Sequence, residues 1–118
     1  MYNEFFTTSE FAKLCGVTKH TLFHYDQVGI LKPDHVGDNG YRYYQASQFY
    51  TFDIISVLQE TGMSLREIQE YMENRGQEAY LRLLGERRAV LNNKVRQLER
   101  MGRLLDRAAS MVDLAGQR

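Results

Sequence analysis

Residues 7–44 read TTSEFAKLCGVTKHTLFHYDQVGILKPDHVGDNGYRYY, and three signals in this stretch set the fold. Thr7-Thr8-Ser9-Glu10 has the layout of a capping box, in which Thr7 and Glu10 satisfy each other's free backbone donors. The short helix it opens is expected to bury Phe11, Ala12 and Leu14 and to stop at Gly16. Thr18 caps a second helix that runs to about Gln27, with Leu22 and Tyr25 inward and Gly29 as its stop. Two short helices joined by Gly16-Val17-Thr18 have the spacing of a helix-turn-helix. Asn39-Gly40 then stands between β-prone residues, the strongest short hairpin signal, because both can adopt positive φ.

A hairpin directly after a helix-turn-helix is the plan of a wing. In its second strand Arg42 and Tyr44 share one face, Tyr41 and Tyr43 the other. At least one of these tyrosines is expected in the core, and the plainest alternative for Arg42 is a solvated strand charge. Further on, Phe49, Phe52, Ile55 and Leu58 mark a third helix from about Ser47 to Glu60, ending at Gly62. Ser64-Leu65-Arg66-Glu67 is a second capping box, opening a fourth helix with Leu65, Ile68 and Met72 inward.

Thirteen of the 14 Phe and Tyr lie before residue 77, so the compact core belongs there and Asn74-Arg75-Gly76 is the joint. The expected division is a winged helix-turn-helix head over residues 1–76 and one long helix over 77–118. That helix, from Gln77 to about Asp113, would span about 55 Å at ~1.5 Å per residue. Leu84, Leu91, Leu98, Leu105 and Val112 recur every seven residues, flanked by Val95 and Met101. A lone helix cannot bury such a seam, which points to a coiled-coil homodimer. Gly85 and Gly102 interrupt it, each costing about 1 kcal/mol relative to Ala.

The 118 residues carry 15 basic and 15 acidic side chains and a single cysteine, Cys15, which can form no internal disulfide. No apolar run approaches a membrane span and the N-terminus lacks a signal-peptide layout, so a cytoplasmic setting is expected. Charge is uneven. Residues 1–76 hold 6 Lys/Arg against 10 Asp/Glu, and residues 77–118 hold 9 against 5. Nucleic-acid binding therefore has to find its cations locally, on one face of an acidic head. His20 and His24 form an i,i+4 pair without further ligands, so neither a metal nor any other cofactor is expected. No catalytic constellation is visible, and an enzyme is not expected.

The segments FAKLCGVTKHTLFHYDQVGILKPDHVGDNGYRYYQASQF and LQETGMSLREIQEYM, within about residues 5–73, resemble the MerR (mercury-resistance-regulator) family of bacterial transcription regulators. The YRYY strand and the neighbouring QASQF look nearest to the multidrug-sensing branch. The resemblance implies an antiparallel coiled-coil dimer. It also implies binding to a pseudo-palindromic double-stranded promoter, and action on RNA polymerase indirectly, by distorting the DNA. It places Thr18, Lys19, His20, Thr21, His24 and Tyr25 of the second helix, with Tyr41, Arg42 and Tyr44 of the wing, at bases or phosphates. Tyr25 would donate its hydroxyl to a phosphate and Arg42 would be the main phosphate contact. Dimerisation would fall to Leu84, Leu91, Val95, Leu98, Met101, Leu105 and Val112.

Two departures stand out. Phe23 replaces the arginine usual in the family's second helix, and Gln45 replaces a common capping serine. The effector has no signature in the sequence. Multidrug-type relatives carry a ligand-binding domain after the coil, so this chain is expected to be either a truncated form, the favoured reading, or a short regulator with its trigger elsewhere. The alternative function is a protein-interaction module whose head has lost DNA binding; the acidic head and Phe23 favour it, while Lys19, Tyr25 and Arg42 oppose it.

Overall fold

The computed structural model describes residues 4–116. Its elements, in chain order, are β1 (Phe5–Thr7), α1 (Thr8–Cys15), α2 (Lys19–Val28), β2 (His35–Val36), β3 (Arg42–Gln45), α3 (Gln48–Glu60), α4 (Leu65–Glu73) and α5 (Gly76–Gly116). The chain divides into two compact units, one up to Asn74 and one from Arg75.

Local chemistry sets the helix ends of the first unit. The Glu10 carboxylate accepts from Thr7 N at 2.8 Å while the Thr7 hydroxyl accepts from Glu10 N at 3.3 Å, closing the box that starts α1. Ser64 and Glu67 do the same for α4. Thr18 accepts from Thr21 N to start α2, and Gly16 and Gly29 end α1 and α2 with φ of 73° and 90°. These are left-handed conformations in which a Cβ would be strained.

Leu14 corrects the first reading: it is 46% exposed, whereas Phe11 and Ala12 are buried. At about 100° per residue, Thr8, Phe11, Ala12 and Cys15 cluster on one side of α1 and Leu14 falls on the flank. The core of this unit centres on Phe11, Leu22, Tyr44, Ile55 and Ile68, all essentially inaccessible to solvent.

The sheet has three strands in the order β1-β3-β2, all antiparallel. The sequence reading anticipated only the β2–β3 hairpin. Phe5-Phe6-Thr7 adds an edge strand with Phe6 opposite Tyr44, tying the start of the chain to the wing. The hairpin turn also differs from expectation. Gly40 N donates to Gly37 O and Gly37 N to Tyr41 O, and only Gly40 has positive φ, at 82°. Asn39 stays at negative φ, so the connection is a turn closed by a left-handed glycine with a bulge, not a two-residue primed turn. α3 starts at Gln48, and its Ser47 does not cap it. The Gln48 side chain accepts from Gln45 N instead.

α5 is one uninterrupted helix of 41 residues, about 60 Å at ~1.5 Å per residue. Val95, Leu98, Met101, Leu105 and Val112 are each more than half exposed, while Leu84 and Leu91 are half-buried. A Cβ at Gly85 or Gly102 would meet open space, and nothing in the structure explains either glycine. Among the described residues no helix is long and apolar enough to cross a membrane.

Candidate nucleic-acid interface

The exposed side of α2 carries Lys19, His20, Phe23, His24 and Gln27, because Leu22 and Tyr25 take the opposite side into the core. β3 runs alongside and places Arg42 next to α2. Between them lies an open groove of about 430 Å³. Lys19 and Phe23 line it from α2, Tyr41, Arg42 and Gly40 from the wing, and Thr8 and Ser9 from the first turn of α1. Among the described residues its lining holds two cations, and the Asp26 carboxylate stands beside it, on Arg42.

Arg42 is held in place. Its Nε donates to Asp26 Oδ2 at 2.9 Å, and its guanidinium carbon sits 5.4 Å from the centroid of the Phe23 ring. Phe23 and Asp26 are three residues apart on α2 and so present adjacent side chains to the wing. The wing tip has its own lock: Asn39 Nδ2 donates to Tyr43 Oη at 2.9 Å, and Tyr41 N donates to Asn39 Oδ1. Gly37 has no room for a side chain, since a Cβ would stand 2.8 Å from the Tyr43 ring.

The nine residues first assigned to nucleic acid sort into three groups. Lys19, Tyr41 and Arg42 meet in the groove. Thr18, His20 and His24 are exposed on or beside α2 outside it, with Thr18 acting as the helix cap and Thr21 half-buried against the Thr18 hydroxyl. Tyr25 and Tyr44 are core residues, which corrects their assignment. Tyr25 is 6% exposed and donates its hydroxyl to Gln59 Oε1 at 2.7 Å, so that hydroxyl is committed to α3 rather than to a phosphate. Tyr44 lies flat against Phe11 and is 0% exposed. Burial pushes the Tyr44 phenol above its ordinary pKa; Asp26 and Cys15 push the same way and Arg42 opposes them.

The sequence reading missed Thr8 and Ser9 as groove residues, and missed Asp26 and Phe23 as partners of Arg42. The capping box at Thr7 did signal that the first amides of α1 are free of intrahelical partners. Nothing local signals a pair 16 residues apart. Among the described residues no cluster of His, Cys, Asp or Glu has the geometry of a metal site.

The family model described as MerR HTH family regulatory protein matches residues 6–75, and one described as MerR, DNA binding matches residues 51–108. The multidrug-efflux transporter 2 regulator of Bacillus subtilis is 38% identical over 112 residues, covering 95% of this chain and 41% of that protein. The HTH-type transcriptional regulator SkgA from Caulobacter crescentus, as a crystal structure, matches with a TM-score of 0.74 at 28% identity, over 95% of this chain and 80% of that one. HiNmlR, a MerR family regulator lacking the sensor domain and bound to promoter DNA, matches with a TM-score of 0.76 over 91% of this chain and 89% of that one. At 23% identity that likeness is one of fold. The chain spans about two fifths of the length of the curated relatives it matches first.

Proposed function

The chain belongs to the MerR HTH regulatory-protein family, and from that premise we propose that it is a transcription regulator whose homodimer grips a pseudo-palindromic promoter and acts on RNA polymerase by distorting the duplex. One observation carries this reading: an acidic head, 6 Lys/Arg against 10 Asp/Glu, nevertheless has a groove whose charged lining among the described residues is Lys19 and Arg42, with Asp26 beside it as the ion-pair partner of Arg42. Those two cations meet phosphates, with Thr8, Ser9 and Tyr41 as neutral hydrogen-bonding neighbours. Thr18, His20 and His24 lie beside the groove at the exposed edge of α2, where they reach base edges in the major groove or the flanking phosphates. Residues 1–76 serve as the DNA-binding head and residues 77–118 as the dimerisation helix.

The seam on α5 supplies the second head. In an antiparallel coil the two heads sit at opposite ends, suited to successive turns of one duplex face about 34 Å apart. Leu98 then packs near its own copy, Leu91 meets Leu105 of the partner subunit, and Leu84 meets Val112 of the partner subunit. The rival reading, a head that binds protein instead of DNA, drew on the acidic count and on Phe23; Asp26, the carboxylate beside the groove, is paired with Arg42 and leaves Lys19 without an acidic neighbour among the described lining residues.

Selection of bound duplexes from a random-sequence pool tests the proposal. A sequence should emerge with two inverted half-sites, and it should outcompete its scrambled version. With two groove cations per protomer, log Kd should vary with log salt with a slope of about 4, at ~0.9 per phosphate neutralised. Arg42→Ala should weaken binding to every duplex by roughly 1–3 kcal/mol. Equal affinity for selected and scrambled duplexes would overturn the proposal.

A further inference from the structure

We infer that Phe23 and Asp26 are positioning residues for Arg42, seating its guanidinium so that the far edge of the fork is presented to a DNA phosphate. This rests on the DNA-binding reading above. An exposed arginine on a small hairpin ordinarily samples many rotamers, and a phosphate contact then has to order it first. Here the order is built in. Asp26 engages the Nε side at 2.9 Å and the Phe23 ring supports the guanidinium at 5.4 Å. Nε is the only guanidinium nitrogen of Arg42 with a hydrogen-bond partner among the described residues. The end-on Nη pair, with four of the five N–H donors, is thereby left for a bidentate contact with an anion.

The arrangement has a cost that makes it testable by sign. Asp26 cancels one of the groove's two cations at long range, so removing its charge should increase general attraction to DNA. A carboxylate that only competes with phosphate therefore predicts tighter binding to any duplex when it is neutralised. A carboxylate that positions Arg42 predicts a split: tighter binding to unrelated duplex, weaker binding to the selected one. Phe23 offers an uncharged check, because Phe23→Leu removes the ring without altering any charge.

Fluorescence anisotropy with the full dimer decides this, using the duplex recovered by selection and a scrambled duplex, in variants whose thermal midpoints match wild type. Asp26→Asn should bind the scrambled duplex about twofold tighter and the selected duplex about fivefold more weakly, the range expected for a partly exposed ion pair. Phe23→Leu should weaken the selected duplex by roughly threefold with no change in salt slope, as loss of an exposed cation–π contact would. The losses on the selected duplex should vanish in an Arg42→Ala background, where the general gain from Asp26→Asn should remain, and Asp26→Glu should restore part of the affinity. Asp26→Asn tightening both duplexes alike would overturn the positioning role, as would a Phe23→Leu loss that persists without Arg42. A wild-type dimer that selects no sequence at all would instead remove the DNA-binding reading on which the inference stands.

Discussion

Phe11 and Tyr44 stack face to face, with ring centroids 4.6 Å apart and planes 4° from parallel. This contact packs β3 of the wing against α1 of the helix-turn-helix. The Tyr44 hydroxyl is buried and has no hydrogen-bond partner among the described residues. Tyr44→Phe removes that orphaned group and should stabilise the head by about 1 kcal/mol, while Tyr44→Ala opens a cavity and should cost about 3–5 kcal/mol. Urea unfolding of both variants checks the pair. A Tyr44→Phe protein less stable than wild type would mean that the hydroxyl has a stabilising role.

Cys15 should behave as an inert thiol that weakens the head at alkaline pH. Burial, and then the Asp53 carboxylate, push its pKa from 9.0 to about 11. The folded head thus favours the neutral thiol. Its stabilising contribution is complete below about pH 9 and is lost as pH rises towards about 11. Tyr25 and Tyr44 are shifted upward as well, chiefly by burial, and act in the same direction. Thermal midpoints measured from about pH 7 to about pH 11 should fall once the pH passes the ordinary thiol value. Alkylation by iodoacetamide at about pH 8 should be tens of times slower than for a free thiol, since the thiolate is the reactive form. Rapid labelling of the folded protein would contradict the placement of Cys15.

At the wing, Gly37→Ala would set a methyl group 2.8 Å from the Tyr43 ring. The ring has to shift, which breaks the Asn39–Tyr43 hydrogen bond and displaces Tyr41 and Arg42. The expected result is DNA binding weakened about tenfold, with a stability loss of no more than ~1–3 kcal/mol. Affinity and thermal melting measured on the same preparation separate the two. Unaltered affinity in the Gly37→Ala protein would show that the tip has no part in binding.

Much of the architecture was legible because its causes are local. The two capping boxes, Thr7 with Glu10 and Ser64 with Glu67, need only residues three apart, and the structure forms both. Leu22, Phe52, Ile55, Leu58 and Ile68 follow the helical period into the core. What escaped depends on distant partners. Phe5–Thr7 is a strand only because β3 lies beside it. Tyr25 and Tyr44 carry hydroxyls suited to a phosphate, but the Tyr25 hydroxyl goes to Gln59, 34 positions away, and the Tyr44 ring is buried by stacking on Phe11 of another element. Arg42 was legible as a groove cation, but the Asp26 and Phe23 seat beneath it was not.

The coil offers a test of orientation. Leu98 is 65% exposed on the single chain, and at the dyad of an antiparallel dimer it would face its own copy. Leu98→Lys would bring two desolvated ammonium groups together and should turn the dimer into monomer at micromolar concentration, read by sedimentation. In a Cys15→Ser background, mixed chains with Leu91→Cys and Leu105→Cys should form disulfides readily, and Leu91→Cys alone should not. Efficient crosslinking by Leu91→Cys alone would mean a parallel dimer.

Hydrogen–deuterium exchange of the dimer with and without the selected duplex asks which surface meets DNA. Binding through the groove predicts slowed exchange at the amides of Thr8, Ser9, Lys19, His20, Tyr41 and Arg42, with α4 unchanged. Protection confined to α4 or α5, with the first turns of α1 and α2 and the wing exchanging as in the free protein, would contradict it.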